Sequence, residues 1–376
     1  MKVVIVDAYA RSNAGDGLLV DETRELVEDA FPGADVQLVA MAPESFPEFP
    51  GALHPVAGHR SDMTLIDLFF RGVSARPHRA VRRAIADADI AVAVGGGYLR
   101  ADSISAALKT TLSHLVQAPT ARSRTPYVYL PQSIGPLPPR FIPLGFGRLR
   151  HAVAVFVRDD RSLGELTARG IPARRLPDLA AIAAGTRAIE ARRSDSHRAA
   201  LIARRLPRAG SSYDVALDRI ISSLGAELLV QSSGRGNDDP QYYRERGWGD
   251  GHRPLTAALD STDPPAVTVS VRLHGSLQSI LAGVPSVHLS YERKGWGAYE
   301  DLGIAEYVHS ARDFDADLVI EQARQLDADP SGYWTAIERA KPALRDARST
   351  IVSTLQSTVH DRDPGRAVHG AAGRCR

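Results

Sequence analysis

The sequence has a single cysteine, Cys375, which lies one position before the last residue. A disulfide within the chain needs two cysteines, and a zinc site built from thiolates needs more. The sequence therefore excludes an internal disulfide, a cysteine-based zinc cluster and a cysteine nucleophile within the folded body.

Long apolar runs and an excess of charge are also missing. No apolar stretch approaches the ~20 residues that a bilayer-spanning helix needs. The 46 basic and 44 acidic side chains leave a net charge of +2, which is too small to favour nucleic acid. The N-terminal run MKVVIVDAYA is interrupted by Asp7 and predicts a first strand rather than a signal peptide. We therefore expect a cytoplasmic protein with no nucleic-acid partner.

Several motifs with known chemistry are absent as well. The sequence contains no H-E-x-x-H, G-x-S-x-G or G-x-x-x-x-G-K pattern and no cluster with metal-ligand spacing. The loop after the first predicted strand, residues 7–16, has no G-x-G-x-x-G fingerprint. Neither a metal site nor a nicotinamide or flavin cofactor is predicted.

Length and periodicity indicate two domains. With 376 residues, 44% of them hydrophobic, the chain is too long for one ordinary core. Short apolar runs alternate with helical segments, a pattern typical of parallel α/β sheets. The predicted fold class is α/β, with two doubly wound Rossmann-like domains facing a cleft. We predict an N-terminal α/β domain over 1–185, a linker over 186–198, a C-terminal α/β domain over 199–335, a C-terminal helix over 336–360 and a disordered tail over 361–376.

The stretch from Ala266 to Gly295 predicts a βαβ unit with a cation and an imidazole at one strand end. Arg272 and His274 follow the first strand, a helix is predicted over 276–282, and Lys294 follows the second strand. Open α/β sheets bind ligands at the carboxyl ends of their strands, and arginine suits phosphate or carboxylate. The alternative is that Arg272 is a solvated loop cation and that His274 packs beneath the helix.

The first strand of the C-terminal domain ends in two further cations, Arg204 and Arg205. Because the carboxyl ends of parallel strands meet at one edge of a sheet, we expect this pair near Arg272 and Lys294. Cations that converge at one edge fit a small, multiply charged anion. The sequence leaves open which arginine of the pair binds it.

The N-terminal domain offers a second set of candidates at its strand ends. Asn13 and Asp16 follow the first strand, where either could bind a ligand or cap the next helix, with capping favoured for Asp16. Gly95, Gly96 and Gly97 end a later strand, and three glycines let backbone approach a ligand closely. A tight turn alone would also favour glycine there.

An ordered set of short segments over residues 1–300 resembles a known family. The segments are Asn13-Ala14-Gly15-Asp16, Gly95-Gly96-Gly97, Gln132-Ser133-Ile134-Gly135-Pro136, Val157-Arg158-Asp159 with Ser162, Pro177-Asp178, Ser270-Val271-Arg272-Leu273-His274-Gly275, Gly283-Val284-Pro285, and Tyr291 with Lys294. On this set, and on Arg-Leu-His-Gly above all, the chain resembles the polysaccharide pyruvyl transferase family. The segment from Ser232 to Pro254 matches no pattern that we can assign and is a candidate for acceptor choice.

The resemblance implies a fold like that of the two-domain GT-B glycosyltransferases. It also implies transfer of a pyruvyl group from phosphoenolpyruvate onto sugar hydroxyls, usually as a cyclic ketal, with release of phosphate. The implied catalytic residues are His274, as general acid, and Arg272, which would hold the phosphate. The implied donor-binding residues are Arg204 or Arg205, Leu273, Gly275 and Lys294. The implied acceptor-binding residues are Asn13, Asp16, Gly95, Gly96, Gly97, Gln132 and Asp178.

The implied partners are phosphoenolpyruvate and a saccharide or lipid-linked saccharide from a cell-envelope glycan, with peripheral membrane contact through a lipid-linked acceptor. No metal or redox cofactor is expected. Asp16 and Asp178 are equal candidates for a base toward an acceptor hydroxyl. Two alternatives stay open: a GT-B-type glycosyltransferase that uses a nucleotide sugar, and a sugar- or anion-binding protein without chemistry. The presence of Arg272 and His274 argues against the second.

Overall fold

The computed structural model describes residues 1–55, 79–115, 117–138, 146–192, 194–195, 197–206, 210–234 and 237–360, within which we number helices and strands. The disordered tail predicted over 361–376 lies outside the described residues. None of the helices in the described ranges combines the length and the hydropathy needed to cross a bilayer.

The N-terminal half is built on six parallel strands. They are β1 (Lys2–Ala8), β2 (Asp35–Ala40), β3 (Ile90–Ala93), β4 (Tyr127–Gln132), β5 (Ala154–Val157) and β6 (Arg174–Arg175). In the sheet they lie in the order β2-β1-β3-β4-β5-β6. The helices of this half are α1 (Ala14–Ala30), α2 (Arg79–Asp87), α3 (Ile104–Thr110), α4 (Asp160–Thr167) and α5 (Leu179–Thr186), with a π-helical turn at Thr111–Leu115 and short 3-10 helices at Pro43–Ser45 and Phe146–His151.

The C-terminal half repeats this plan. Its strands are β7 (Ala199–Ile202), β8 (Glu227–Val230), β9 (Ser233–Gly234), β10 (Asn237–Asp238), β11 (Arg253–Pro254), β12 (Val267–Ser270), β13 (Ser286–Ser290) and β14 (Val308–Ser310). Six of them form a parallel sheet in the order β11-β8-β7-β12-β13-β14, and β9 pairs with β10 separately. The helices are α6 (Ser211–Leu224), α7 (Asp239–Glu245), α8 (Leu255–Leu259), α9 (Leu273–Leu281), α10 (Arg293–Asp301), α11 (Ala316–Ala328) and α12 (Ser331–His360), with a 3-10 helix at Ala305–Tyr307.

Apolar runs in the sequence account for the central strands of both sheets. Every residue from Val3 to Val6 in β1 and from Ala199 to Ile202 in β7 is buried. Strands without alternation are typical of parallel sheets, because helices cover both faces. The helix that follows β7 ends at Gly225, whose φ of 57° lies in the left-handed region that favours glycine.

Each sheet reverses its strand order at one point. The reversal lies between β1 and β3 in the N-terminal sheet and between β7 and β12 in the C-terminal sheet. Ligands of open α/β sheets bind outside the carboxyl ends of the strands at such a point, because the connections diverge there and leave a crevice. The triple glycine follows β3, whereas Arg204 and Arg272 follow β7 and β12. Candidate residues of both halves therefore lie at these crevices.

The last described helix connects the two halves. Although α12 follows the C-terminal sheet, it packs against α5 and α1 of the N-terminal half. Arg345 Nε donates to the Gly185 carbonyl at 2.9 Å. A Cβ on Gly185 would lie 2.3 Å from Leu344 Cβ, so only glycine permits this approach. The domain boundary predicted after residue 335 lies inside this continuous helix.

The predicted fold class, α/β with two doubly wound domains that face a cleft, is confirmed by the two parallel sheets. The predicted start of one helix is also wrong. The helix after β12 begins at Leu273 and not at the predicted position 276. His274 therefore lies in the first helical turn.

Candidate active site

The turn from β12 into α9 positions the Arg-Leu-His-Gly segment. Ser270 Oγ donates to the Arg272 carbonyl at 2.8 Å and accepts the Arg272 N–H at 3.2 Å, which holds the backbone where the strand ends. A Cβ on Gly275 would lie 2.8 Å from both Ser270 Oγ and Gln231 Oε1, so glycine is needed there. Leu273 packs into the hydrophobic core of the C-terminal half. Within this segment, only Arg272 and His274 are left to offer polar side chains.

His274 points toward the N-terminal half. Its Nε2 lies 3.6 Å from Asp178 Oδ2 and 3.5 Å from Arg158 Nη1, and its side chain is 13% exposed. The ring does not pack beneath its own helix, which was the alternative to a role at the cleft. His274 thus joins the two halves through a contact with a buried ion pair.

Asp178 caps α5 and forms the centre of that ion pair. Its Oδ1 accepts the Ala180 N–H at 2.9 Å, and its Oδ2 accepts from Arg158 Nη1. Both members of the pair are 2% exposed. Burial by itself raises the pKa of the Asp178 carboxyl, but Arg158, His274 and the Ala180 N–H hold that pKa well below its usual range. Asp178 is therefore a fixed negative charge beside the imidazole.

Arg158 is a site residue that the sequence analysis did not select. It follows β5, and its Nε donates to Ser133 Oγ at 3.0 Å. Ser133 in turn donates to Asp159 Oδ2 at 2.6 Å. Its position just after an apolar strand is the same signal that led to Arg204, and applying that rule to the N-terminal sheet would have found it.

Asn13 caps α1, so the capping role favoured for Asp16 is wrong. Asn13 Oδ1 accepts the Gly15 N–H at 3.2 Å. Asp16 lies in the first turn and accepts hydrogen bonds from Asn13 Nδ2 at 3.0 Å and from the Tyr98 hydroxyl. Burial raises the pKa of the Asp16 carboxyl, and the Tyr98 hydrogen bond and the charge of His274 offset this only in part.

The start of α1 lies against the C-terminal half. The Ala14 N–H donates to the Gln231 carbonyl at 3.1 Å, and Gln278 Nε2 donates to the Ala14 carbonyl at 2.7 Å. A Cβ on Gly15 would lie 2.7 Å from His274 Cβ and Nδ1. The Asn-Ala-Gly-Asp and Arg-Leu-His-Gly segments, distant in sequence, are thus in direct contact.

The three consecutive glycines have different surroundings. A Cβ on Gly95 would lie 2.6 Å from the Pro131 carbonyl oxygen, and one on Gly96 would lie 2.3 Å from the Tyr98 ring. Both are therefore required by packing. A Cβ on Gly97 would lie 3.5 Å from Arg158 Nη2 and 3.8 Å from Lys294 Nζ. Of the three, only Gly97 lines the cavity between the two halves.

A cavity of about 740 Å³ lies between the two halves. It is lined by Gly97, Arg100, Asp102, Ser133, Ile134, Gly135, Pro136, Asp159, Arg161, Ser162, Arg204, Leu206, Tyr291, Glu292, Lys294 and Arg312. Lys294 Nζ lies 2.9 Å from Glu292. Burial tends to raise the pKa of Glu292, but Lys294 outweighs it and lowers that pKa. Gln132, next to this lining, is buried, and its Nε2 has no hydrogen-bond partner among the described residues.

Arg204 and Arg205 differ sharply in their surroundings. Arg204 donates to the Tyr291 hydroxyl at 2.5 Å and lies over the Tyr291 ring, 4.8 Å from its centroid. Its Nε is buried without a hydrogen-bond partner in the described part of the chain. The Arg205 side chain is 60% exposed and paired with Glu245. Only Arg204 lines the larger cavity.

A smaller cavity of about 140 Å³ adjoins Arg204 on the C-terminal side. Its lining consists of Arg204, Arg205, Asn237, Asp238, Asp239, Gln241, Tyr242 and Arg272. The Arg272 side chain is 5% exposed, and its Nε donates to Asp239 at 3.0 Å. Arg272 is therefore a buried, paired cation and not a solvated loop residue. Asp239 belongs to the segment that matched no sequence pattern.

Metal ligation has no geometric support in the described ranges, where no group of three or more histidine, cysteine, aspartate or glutamate side chains could hold an ion.

A model of the polysaccharide pyruvyl transferase family matches residues 13–293 of the chain. The match includes both segments that meet at the cleft and extends over more than half of the sequence. A comparison with curated proteins finds no significant match.

Solved structures share the architecture at low identity. UDP-N-acetylglucosamine 2-epimerase from Rickettsia bellii is 9% identical, with a TM-score of 0.55 and coverage of 97% of this chain and 99% of that one. The Neisseria meningitidis UDP-GlcNAc 2-epimerase, solved with UDP-GlcNAc, is 13% identical, with a TM-score of 0.54 and coverage of 95% and 100%. Anabaena HepE in complex with UDP-glucose is 11% identical, with a TM-score of 0.50 and coverage of 96% and 99%. These likenesses show a GT-B-type fold.

Proposed function

The chain belongs to the polysaccharide pyruvyl transferase family, and we propose that it moves the pyruvyl group of phosphoenolpyruvate onto two hydroxyls of a sugar. The product is a cyclic pyruvate ketal on a glycan or glycolipid precursor, with release of phosphate. One observation carries the proposal: His274 of the C-terminal half meets Asp178 and Arg158 of the N-terminal half. An imidazole, a buried carboxylate and its paired arginine are thus held together at the cleft, which supports a role for His274 in proton transfer.

We assign the donor, phosphoenolpyruvate, to the C-terminal wall, which is the side of the cleft formed by the C-terminal half. Phosphoenolpyruvate carries a phosphate and a carboxylate, which arginine and lysine side chains bind through charge-assisted hydrogen bonds. Arg204 lines both cavities, and Lys294 lines the larger one. We assign donor binding to these two cations and to Arg272, and we leave out Arg205 because Glu245 already pairs with it at the surface.

In the first proposed step, protonated His274 gives its proton to the methylene carbon of phosphoenolpyruvate. The adjacent carbon becomes oxocarbenium-like, and a sugar hydroxyl attacks it while losing its proton to a base. The resulting tetrahedral carbon carries the methyl group, the carboxylate, the sugar oxygen and the phosphate. Asp178 serves as the counter-charge of the imidazolium before the proton leaves.

In the second step, a neighbouring hydroxyl of the same sugar replaces the phosphate. The bond between carbon and the phosphate oxygen breaks, and the proton of that hydroxyl leaves with inorganic phosphate. Arg272 and Arg204 stabilise the negative charge that develops on the departing group, as preorganised donors do in a low-dielectric site. The sugar that now carries the ketal is then released.

Asp16 is the better base for the first hydroxyl. Asp178 is engaged by Arg158 and has a lowered pKa, so it has little tendency to take a proton. The carboxyl of Asp16 has a raised pKa and lies beside the segment that contacts His274. A carboxylate with a raised pKa is the better proton acceptor near neutral pH.

The proposed reaction uses protein side chains and two substrates, and no metal or redox cofactor takes part in it. The acceptor is a saccharide, free or lipid-linked, and a lipid-linked acceptor would bring the cleft to a membrane surface.

A GT-B-type glycosyltransferase that uses a nucleotide sugar is the second candidate. Two structural neighbours favour it, because one was solved bound to UDP-GlcNAc and the other in complex with UDP-glucose. In that case the C-terminal arginines would hold a diphosphate, and the donor would have no methylene carbon for His274 to protonate.

The deciding experiment is incubation of the purified chain with phosphoenolpyruvate and a panel of saccharides, with free phosphate as the readout. We expect phosphate release that depends on the acceptor, together with a pyruvylated sugar in the mass spectrum. Thermal stabilisation by UDP and not by phosphoenolpyruvate would support the glycosyltransferase. Failure of every acceptor to yield phosphate, in a chain that does not bind phosphoenolpyruvate, would contradict the proposal.

A further inference from the structure

The segment over 232–254, which matched no sequence pattern, supplies the carboxylate that holds Arg272. Asp239 begins α7 and is 1% exposed. Its two oxygens accept from Arg272 Nε at 3.0 Å, and one of them also accepts from Nη2. Oδ2 further accepts the N–H groups of Gln231 at 3.1 Å and Ser232 at 3.0 Å. The carboxylate is therefore anchored to the backbone as well as to the arginine.

This pairing leaves one nitrogen of the guanidinium for a ligand. Nε and Nη2 are taken by Asp239, whereas Nη1 has no hydrogen-bond partner among the described residues. Arg272 lines the small cavity together with Arg204. A guanidinium has a rigid, planar set of donors, so fixing two of its nitrogens also fixes the direction of the third.

The same carboxylate holds the turn that touches the other half of the molecule. Gln231, whose N–H it accepts, donates from Nε2 to Asn13 Oδ1 at 3.0 Å. The carbonyl of Gln231 accepts the Ala14 N–H at 3.1 Å. One buried side chain thus sets the orientation of Arg272 and the turn at which the two halves meet.

We propose that Asp239 is a positioning residue for pyruvyl transfer, directing Arg272 Nη1 into the small cavity toward the departing phosphate. The inference rests on the proposed function. Because Asp239 offsets the charge of Arg272, binding of phosphoenolpyruvate in the ground state depends mainly on Arg204 and Lys294. Arg272 then acts chiefly when negative charge grows on the leaving phosphate, where alignment matters most.

The test is the kinetics of Asp239→Asn, which removes the charge and keeps the size of the side chain. Misplacing a catalytic group by ~1 Å costs about 100-fold in rate, so we expect kcat to fall by about that factor. The KM for phosphoenolpyruvate should not rise by more than about threefold, because no cation is lost. Asp239→Glu, which keeps the charge, should recover part of kcat.

A double variant distinguishes positioning of Arg272 by Asp239 from a purely structural role of Asp239. If Asp239 acts through Arg272, adding Asp239→Asn to Arg272→Gln should change kcat no further, because coupled residues are not additive. This double variant also removes both buried charges together, so it stays informative where Asp239→Asn alone does not fold. The matched control is Glu227→Gln, which breaks the Glu227–Arg253 pair at the start of β8 and should leave kcat unchanged.

Two results would overturn the inference while leaving the proposed function intact. One is an Asp239→Asn variant with wild-type kcat. The other is a further loss of kcat when Asp239→Asn is added to Arg272→Gln. A wild-type chain that neither binds phosphoenolpyruvate nor releases phosphate would overturn the proposed function, and the positioning role with it.

Discussion

The two walls of the cleft differ in the charged side chains that they bring to the contact between His274 and Asp178. The N-terminal half contributes two buried carboxylates, Asp16 and Asp178, the second of them paired with Arg158, and it also lines the cavity with Arg100 and Arg161. The C-terminal wall presents an imidazole and the cations Arg204, Arg272 and Lys294. In the proposed reaction, the anionic donor lies against the C-terminal wall and the hydroxyl that loses a proton lies against the N-terminal wall. The site is complete only where the walls meet, at His274 and Asp178.

The two carboxylates of the N-terminal wall also differ from each other. Both are buried, and burial raises the pKa of each. Asp178 has an arginine against it, which more than compensates, whereas Asp16 has a tyrosine hydroxyl and an amide, which do not. At Asp178 the positive charges of Arg158 and His274 outweigh the effect of burial on the pKa, whereas at Asp16 the hydrogen-bond donors only reduce it.

Loss of the His274 imidazole should have the largest effect on activity. His274→Ala should lower acceptor-dependent phosphate release by about 1000-fold, within the range for loss of a general acid. The control is His309→Ala, on β14, where the imidazole is hydrogen-bonded to Gln322. A His274→Ala variant with full activity would show that the C-terminal wall does not supply the proton.

The difference between the two carboxylates predicts opposite effects on stability. Asp178→Asn leaves Arg158 buried without its counter-charge and should destabilise the fold by about 3–5 kcal/mol. Asp16→Asn should be neutral or stabilising at pH 7, because ionised Asp16 is disfavoured by burial. Urea unfolding measures both, and Asp218→Asn, in an exposed pair with Arg246, should cost less than about 1 kcal/mol.

The stability of these two variants relative to the wild type should also depend on pH in different ways. The contribution of ionised Asp178 is fully present above the ordinary carboxyl pKa of 3.8 and is lost as pH falls below it. The gap between the wild type and Asp178→Asn should therefore narrow in acid. For Asp16, the wild type should lose stability relative to Asp16→Asn as pH rises above 3.8. Parallel pH profiles for the two variants would contradict the assigned pKa directions.

Arg204 and Arg205, two neighbours on the C-terminal wall, should differ in their effect on the KM for phosphoenolpyruvate. Arg204→Gln should raise the KM for phosphoenolpyruvate by about 10- to 100-fold, as expected for a lost hydrogen bond between charged groups. Arg205→Gln should change this KM by less than about twofold, because its partner is the surface residue Glu245. Initial rates at varied phosphoenolpyruvate measure both, and an equal or larger effect of Arg205→Gln would reverse the assignment.

The two-sheet α/β fold and the strand ends at which the candidates lie could be predicted from the amino-acid sequence alone. Arg204, Arg272 and the triple glycine were found because each directly follows an apolar run. A buried parallel strand is a local pattern, and its carboxyl end is where such folds bind ligands. These features depend on neighbouring residues and could be predicted without knowing how the halves pack.

The pairing of the charged side chains, in contrast, is visible only in the folded structure. Arg272 has a buried partner in Asp239, which is 33 positions away in a segment without a recognisable pattern. Arg158 lies 116 positions from His274 and contacts it because the two sheets face each other. The energy of a charge depends on its burial and its nearest opposite charge, and both are set by the packing of distant elements. No local pattern carries that information, so the sequence placed the cations correctly at strand ends but left open their partners.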